Sequence, residues 1–523
     1  MNHSPAPGRD GILPAGWFAS PSEEERPVGW LFLLLVTALA ALVRFYRLDG
    51  PSLWADELAT WRMCRPDAGL HFWEQIRDMI QGPLYLAAVW PLVRLGGSEF
   101  LLRLPAACAG AVTVPLLALL GWRLFGTRTA RLVALLAALS PFHVWYSQEA
   151  RGYAFLMFFA TAMLLLFVVM VQNRARIGFA LLFALFSAGA VWSNLSALFL
   201  WAALGLTLLA MFRPASGREW GFWVVAFAGG MVAAAPWLLE AAGVFAVDRL
   251  LPGAVTGEAL RGETTFTPLA WPYTAFAFLY GHSLGPSLRE LHQPDRLAAV
   301  KAAWPIVLPA GLVGAIAILA GLGRLRRRQW ALLLWLGVPV LLVSILATRN
   351  VKPFNARYLA AVFPLWLLLL SCGLARMPRR WGVGLSVLVL GFFLWSLYGH
   401  FFNPRYAKDD IRGVAARIAQ QAMADEPVLV PVAAGVFQYY HHGPQKVIGY
   451  WGGADILTRE AARDFLDRRL AGAESCWIVL TRQWRFDPQG WIVRVVEQQG
   501  EILWDESLTG VRLLRWRRAP GRE

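Results

Sequence analysis

The chain has 523 residues, 57% of them hydrophobic and only 16% charged, with a mean hydropathy of +0.47. Water-soluble domains carry more charge and less apolar content, so this composition excludes an ordinary soluble globular protein. A net charge of +15 would suit a nucleic-acid binder, but the placement of the basic residues excludes that class too.

In chain order, residues 1–27 are polar and Pro- and Gly-containing, with Glu23, Glu24 and Glu25 ahead of the first apolar run and no small-residue cleavage site after it. They read as a disordered cytoplasmic tail, not a cleaved signal peptide. Eleven apolar stretches follow, at 28–46, 100–121, 132–146, 153–171, 177–192, 195–212, 220–239, 304–322, 330–347, 358–375 and 381–400. Most approach the roughly 20 residues that a helix needs to cross the hydrocarbon core. The fold class predicted is an α-helical polytopic membrane protein with a small C-terminal α/β domain.

Arginines gather in alternate short loops: Arg123/Arg128/Arg131, Arg174/Arg176, Arg213/Arg218, Arg324 with Arg326 to Arg328, and Arg376/Arg379/Arg380, offset only by Glu219. The intervening segments 47–99 and 240–303 carry at least as many acids as bases. The positive-inside rule therefore places the Arg loops and the N-terminus in the cytoplasm of a plasma (bacterial inner) membrane protein, with Arg44 and Arg47 as exceptions. Within 47–99, residues 57–64 and 72–80 read as short surface helices and 83–95 as an interfacial helix, since a crossing there would invert the charge bias. Residues 269–279, in the second outer segment, are too short to span. The chain divides into a membrane module at 28–402 and an extracytoplasmic α/β domain at 403–523. The latter has strands expected at 427–432, 476–481, 492–497 and 510–517, and helices at 411–424 and 460–470.

Three outer motifs hold candidate chemistry. Asp56 and Glu57 are adjacent carboxylates just after the first span, where ionised groups are costly. On a helix they project about 100° apart, so one can face a cavity while the other caps the helix or pairs with an Arg. Plain helix-start chemistry fits them equally well. Glu149 and Arg151 sit in a tight turn, as a site at the rim of the bundle or as an interfacial ion pair among belt aromatics. Arg349, Lys352 and Arg357, followed by Tyr358, oppose the positive-inside trend. An anionic ligand accounts for them, with lipid headgroups as the alternative. Arg103 is a further candidate of this kind. His143 lies in an apolar helix, where packing competes with a ligand role. Cys64, Cys108, Cys372 and Cys476 are scattered without metal-ligand spacing, and no Walker loop, zinc motif or nucleophile elbow occurs.

The stretches 44–48, 53–57, 82–85, 98–104 and 121–126, and above all Leu139-Ser140-Pro141-Phe142-His143-Val144-Trp145-Tyr146-Ser147-Gln148-Glu149-Ala150-Arg151-Gly152-Tyr153, resemble family 39-type glycosyltransferases of the GT-C superfamily. These include protein O-mannosyltransferases and lipid A aminoarabinose transferases. The resemblance is nearly continuous over about residues 40–160. It implies inverting transfer at the outer face from a polyprenyl-phosphate sugar to a lipid, glycan or protein acceptor. Asp56 matches the general base, and Glu57 and Glu149 stand at acidic catalytic positions. Arg357 and Tyr358 resemble the pair near the donor phosphate, with Lys352, Arg151 and Arg103 as supporting phosphate contacts. Gln81, Tyr85, His143 and Tyr153 are the substrate-contact candidates. Where relatives often carry His or Glu-Lys before the first-loop Pro, this chain has Gln81-Gly82, so no metal or other cofactor is expected to be obligatory. Membrane lipids are expected partners and nucleic acid is not. The leading alternative is a lipid or glycan transporter or flippase, although the chain shows no internal repeat and its charges gather at span ends.

Overall fold

The computed structural model describes residues 28–65, 82–173, 175–212, 214, 216–242, 266–293, 295–325, 329–349, 351–449 and 456–519. The expected tail at 1–27, the surface helix at 72–80, Gln81, and Arg174, Arg213 and Arg326 to Arg328 lie outside the described residues. Each of the eleven apolar stretches is helical. The helices run α1 (Trp30–Phe45), α2 (Ala55–Cys64), α3 (Pro83–Arg94), α4 (Glu99–Phe125), α5 (Thr127–Leu139), α6 (Pro141–Ser147), α7 (Tyr153–Gln172) and α8 (Ile177–Ser193). They continue as α9 (Ala197–Met211), α10 (Gly217–Ala242), α11 (Ala270–Tyr280), α12 (Leu288–Leu291), α13 (Arg296–Leu322), α14 (Ala331–Thr348), α15 (Phe363–Arg376) and α16 (Arg379–Phe402), with a 3-10 turn at Ala356–Val362 leading into α15. Among the described residues, seven segments are long and apolar enough to cross a membrane unaided, while α1, α8 and α9 are shorter apolar helices.

The predicted span at 132–146 is two helices, because Pro141 cannot continue α5 and its ring sits at the first position of α6. The carbonyls freed at the break are not left orphaned. Arg44, buried near the end of α1, donates through Nη1 to Ala138 O (3.0 Å) and through Nη2 to Ala137 O (3.0 Å) and His143 Nδ1 (2.9 Å). This buried partnership explains a basic residue that ran against the charge rule.

The large apolar residues Leu34, Leu181, Leu209, Val232, Leu341 and Val387 are exposed on the outer surface of the bundle, as a lipid-facing surface requires. The helix α15 lies at the centre and is buried along nearly its whole length. It approaches α13 backbone to backbone. A methyl on Gly373 would run into the Ala317 carbonyl and one on Gly321 into the Leu369 carbonyl, the close approach that small residues permit.

At about 1.5 Å per residue, α3 is roughly 18 Å long, too short for a hydrocarbon core of about 30 Å. It packs instead beside α2 and α4, where the Tyr85 hydroxyl donates to Leu102 O at 2.6 Å. The basic loops meet at the end of the bundle away from this segment. There Gln172 Nε2 donates to Arg123 O (3.0 Å), Gln329 Nε2 to Leu124 O (2.7 Å) and Arg376 Nη1 to Arg324 O (2.9 Å).

After α16 the chain forms an α/β unit with the sheet order β2-β1-β3-β5-β4. The strands are β1 (Val428–Val430), β2 (Val447–Gly449), β3 (Ser475–Thr481), β4 (Gly500–Leu508) and β5 (Val511–Arg518); β1 runs parallel to β2 and β3, and β5 antiparallel to β3 and β4. Helices α17 (Ile411–Gln421) and α19 (Arg459–Arg469) match expectation, α18 (Ala434–Tyr440) lies between β1 and β2, and the short α20 (Gln483–Phe486) follows β3. The strand expected at 492–497 is instead a helix, α21 (Trp491–Gln499). Ile492, Val493, Val495 and Val496 are buried while Arg494, Glu497 and Gln498 are exposed, a helical period that the β-branched composition masked. Asp487 fixes its start by accepting from the Trp491 and Ile492 N–H groups.

The unit is fastened to the first loop. Trp61 and Tyr439 meet edge to face at 4.9 Å, the Tyr440 hydroxyl accepts from Leu53 N (2.7 Å) and donates to Glu99 (2.8 Å), and Arg412 pairs with Glu99.

Candidate active site

A cavity of about 1670 Å³ opens between the membrane helices and the α/β unit. Trp54, Asp56, Tyr146, Glu149, His282, Arg357 and Lys408 line its inner part. These residues come from five separate stretches of chain, brought together at one end of the bundle.

The adjacent acids Asp56 and Glu57 are divided by the helix they start. Asp56 faces the cavity with its side chain 40% exposed, and Arg357 Nη1 donates to its Oδ2 at 3.1 Å. Glu57 turns inward and is fully buried. Its Oε1 accepts from Arg103 Nε (2.8 Å) and Ala150 N (3.0 Å), and its Oε2 from Arg103 Nη2 (2.9 Å) and Lys408 Nζ (2.8 Å). Burial alone would raise the pKa of this carboxyl, but Arg103 and Lys408 outweigh it and hold the group well below the usual carboxylate range. Glu57 is therefore a permanent anion joining three segments, and it does not line the cavity as a second catalytic carboxylate would.

Arg103 is likewise spent. Besides Glu57 it donates to the carbonyls of Leu48 (2.8 Å), Pro51 (3.0 Å) and Ser52 (3.3 Å), which shapes the loop ahead of Asp56 and leaves no donor for a phosphate. Two further candidates depart from expectation for similar reasons. His143 is fully buried against Arg44, and Tyr85 packs edge to face on Phe155 at 5.2 Å. Neither borders the cavity; both position the elements that do.

Other expected residues gather behind Arg357. Its guanidinium lies 5.5 Å from the Tyr153 ring and 5.6 Å from that of Tyr358, and the Lys352 ammonium sits 4.7 Å from the Tyr358 ring. Arg151 donates to the Asp56 backbone carbonyl at 3.4 Å.

Glu149 differs from both acids of α2. It is 1% exposed, lines the cavity, and neither carboxyl oxygen has a hydrogen-bond partner among the described residues. Burial pushes its pKa up to about 7, against the pull of Lys408 and Arg357. Arg357 Nε is also buried without a partner. Unmet buried polar groups are costly, and here Glu149 and Arg357 bring two residues with such groups to the border of one cavity.

Lys408 was absent from the sequence-based candidates. It follows the 3-10 turn Pro404–Tyr406 that comes after α16, reaches the cavity 5.3 Å from the Trp54 ring, and burial lowers its pKa while Glu57 partly restores it. The signal that singled out Lys352 and Arg357, a base on the side where topology does not call for one, applies to Lys408 as well. His282 was also missed. Its ring lies between Tyr146 and Tyr273, and burial holds its pKa at about 4, so it is neutral at pH 7. Among the described residues no three His, Cys, Asp or Glu side chains converge as a metal ligand set.

A family model described as dolichyl-phosphate-mannose-protein mannosyltransferase matches residues 81–239. The structure of ArnT from Cupriavidus metallidurans in the apo state superposes with a TM-score of 0.53 at 14% identity, covering 93% of this chain and 98% of that one. The chain has the fold of the GT-C membrane glycosyltransferases. A second ArnT structure from the same organism, bound to undecaprenyl phosphate, gives a TM-score of 0.51 at 14% identity over the same shares of the two chains. No curated protein matches the sequence. The GT-C likeness runs nearly end to end on both chains, so it takes in the multi-pass membrane module and the α/β unit beyond it.

Proposed function

We propose that the protein is an inverting glycosyltransferase that takes sugar from a polyprenyl-phosphate carrier at the outer face of the plasma membrane. The observation that carries this reading is the cavity wall itself. Asp56, oriented by Arg357, stands with an unpartnered, buried Glu149 and with the cations Arg357 and Lys408, at the end of the bundle opposite the basic loops. By the positive-inside rule those loops are cytoplasmic, which puts the cavity outside. The binding of undecaprenyl phosphate by ArnT supports a lipid-phosphate donor.

In the proposed reaction an acceptor hydroxyl oxygen attacks the anomeric carbon and its proton passes to Asp56. The C1–O bond to phosphate breaks, with its electron pair leaving on the phosphate oxygen. The inversion follows from a single displacement. Arg357 and Lys408 stabilise the charge that develops on the departing phosphate, in a site where donors are already fixed in place. Below about pH 7 Glu149 is neutral and can donate a hydrogen bond to a sugar hydroxyl; above it, it can only accept. Because the donor is confined to the bilayer, a cavity at the rim meets it without extracting its tail.

The test is to incubate the purified protein with labelled polyprenyl-phosphate sugars and an envelope glycan extract. Release of polyprenyl phosphate with label appearing on the acceptor is the expected result. Movement of intact carrier across a vesicle bilayer without bond cleavage would point to a transporter instead.

A further inference from the structure

The cavity has a second, chemically different part. Its mouth is formed by the loop after β3 and by the segment around α12 and the start of α13, none of which carries the chemistry proposed above. In open α/β sheets the loops at the carboxyl ends of parallel strands are the usual place for ligands, and β3 is such a strand, parallel to β1. The loop that leaves it places Arg482, Trp484 and Arg485 on the cavity wall. Arg482 adopts a left-handed backbone (φ 50°), which turns the chain sharply enough to present its successors there.

The mouth holds more positive charge than it neutralises. Arg289, Arg296, Arg405, Arg482, Arg485 and Arg512 line it. Asp409 is shared, 3.1 Å from Arg289 and 3.8 Å from Arg482, and it also accepts from Thr481 at 2.9 Å. Arg405 is paired with Glu290 (2.9 Å) and Arg512 with Asp505 (2.7 Å). Asp487 spends its carboxylate on the start of α21. That leaves Arg296 and Arg485 exposed, with no carboxylate partner among the described residues. Bases on this side of the membrane run against the topological trend, so sidedness does not account for them. On the same wall, next to Arg485 in the chain, the Trp484 indole stacks on the His292 ring at 4.9 Å and 29°, joining the α/β unit to the membrane module.

From this juxtaposition we infer that the mouth is an acceptor subsite for an acidic saccharide, a glycan or glycolipid headgroup whose sugars bear phosphate or carboxylate groups. Arg296 and Arg485 clamp the anionic substituent through paired N–H donors, and the apolar face of the sugar ring covers Trp484. The inference rests on the glycosyltransferase reading, and it assigns to the α/β unit the choice of acceptor. The single cavity that links the mouth to Asp56 lets an acidic glycan bound at one end deliver a hydroxyl to the other.

The test uses full-length protein in nanodiscs and three saccharide probes: tri-galacturonate, glucose 6-phosphate and neutral maltotriose. Undecaprenyl phosphate is a separate probe for the inner site. Titration calorimetry should show the acidic probes binding at least about tenfold more tightly than maltotriose, with affinity falling as salt rises. The double variant Arg296→Gln/Arg485→Gln should lose that preference, and Trp484→Ala should weaken all three saccharides, while both still bind undecaprenyl phosphate. Arg357→Gln should do the reverse. The two acidic probes distinguish carboxylate from phosphate as the preferred anion. Equal affinity for acidic and neutral saccharides, no binding of any of them, or an unchanged preference in the double variant would overturn the inference. Loss of undecaprenyl phosphate binding by the wild type, with acidic saccharide still bound, would count against the donor reading and leave the acceptor subsite standing. Arg296 and Arg485 are exposed whereas Trp484 and Arg357 are partly buried, so thermal unfolding midpoints are compared for every variant and the binding of each is read only where the wild-type midpoint is kept.

Discussion

Replacing Glu149 by Gln should make the protein more stable at alkaline pH and flatten its stability profile between pH 4.5 and 7. The group's pKa is raised from an ordinary value of 4.5 to about 7, so over that interval the folded chain keeps a proton that the unfolded chain has released. Stability contributed by the protonated form is full below the unfolded value and is lost as pH rises through the folded one. The loss amounts to about 3 kcal/mol, from roughly 1.4 kcal/mol per pKa unit. Because the carboxyl is 1% exposed and neither oxygen has a partner among the described residues, solvent does little to screen this cost. With an unfolding entropy of about 2.1 cal/mol/K per residue over 523 residues, that is about 3 °C in unfolding midpoint. Gln has nearly the same shape and no charge, so Glu149→Gln should match the wild type near pH 5 and exceed it by that margin at pH 8. Scanning fluorimetry of both proteins across this range is the assay. A variant whose midpoint follows the wild-type curve at every pH, or falls below it at pH 8, would refute the assignment of Glu149 as the buried titrating group.

Other substitutions probe the framework around the site. Glu57→Gln leaves Arg103 and Lys408 as buried cations without their shared anion and should cost about 3–5 kcal/mol, read as a lowered unfolding midpoint. In a double-mutant cycle with Arg103→Gln the losses should be far from additive, since the two side chains exchange a two-point contact. Gly373→Ala forces α13 away from α15 by placing a methyl against the Ala317 carbonyl and should destabilise by about 1–3 kcal/mol, whereas the same change at exposed Gly384 meets no atom and should be near neutral; thermal midpoints compare the two.

The spans were legible because lipid exposure leaves apolar residues on the outer surface of nearly every long helix, and Leu181, Val232 and Val387 belong to no core. Asp56 and Glu57 were legible as a pair, since neighbours on a helix must diverge. Their separate fates were not, because what fixes Glu57 is Arg103 together with Lys408, 46 and 351 residues further on. Arg103 was read by its charge, whereas its environment is a ring of backbone carbonyls that only the folded first loop assembles. His143 was ambiguous until Arg44 came to rest on the broken end of α5. In the α/β unit the strands buried on both faces, β1 and β3, read as apolar runs. The edge strand β4 carries Glu501, Asp505 and Glu506 among its apolar residues and gave no such signal.

In the proposed transfer from a polyprenyl-phosphate sugar, Asp56 takes the acceptor proton. The most direct measurement is the rate at which Asp56→Asn, reconstituted in nanodiscs and shown to bind undecaprenyl phosphate, releases polyprenyl phosphate from a labelled polyprenyl-phosphate sugar. The expected rate is lower than that of the wild type by about 10²–10⁴, the usual worth of general-base assistance, with folding and lipid binding retained. Turnover at the wild-type rate would contradict it.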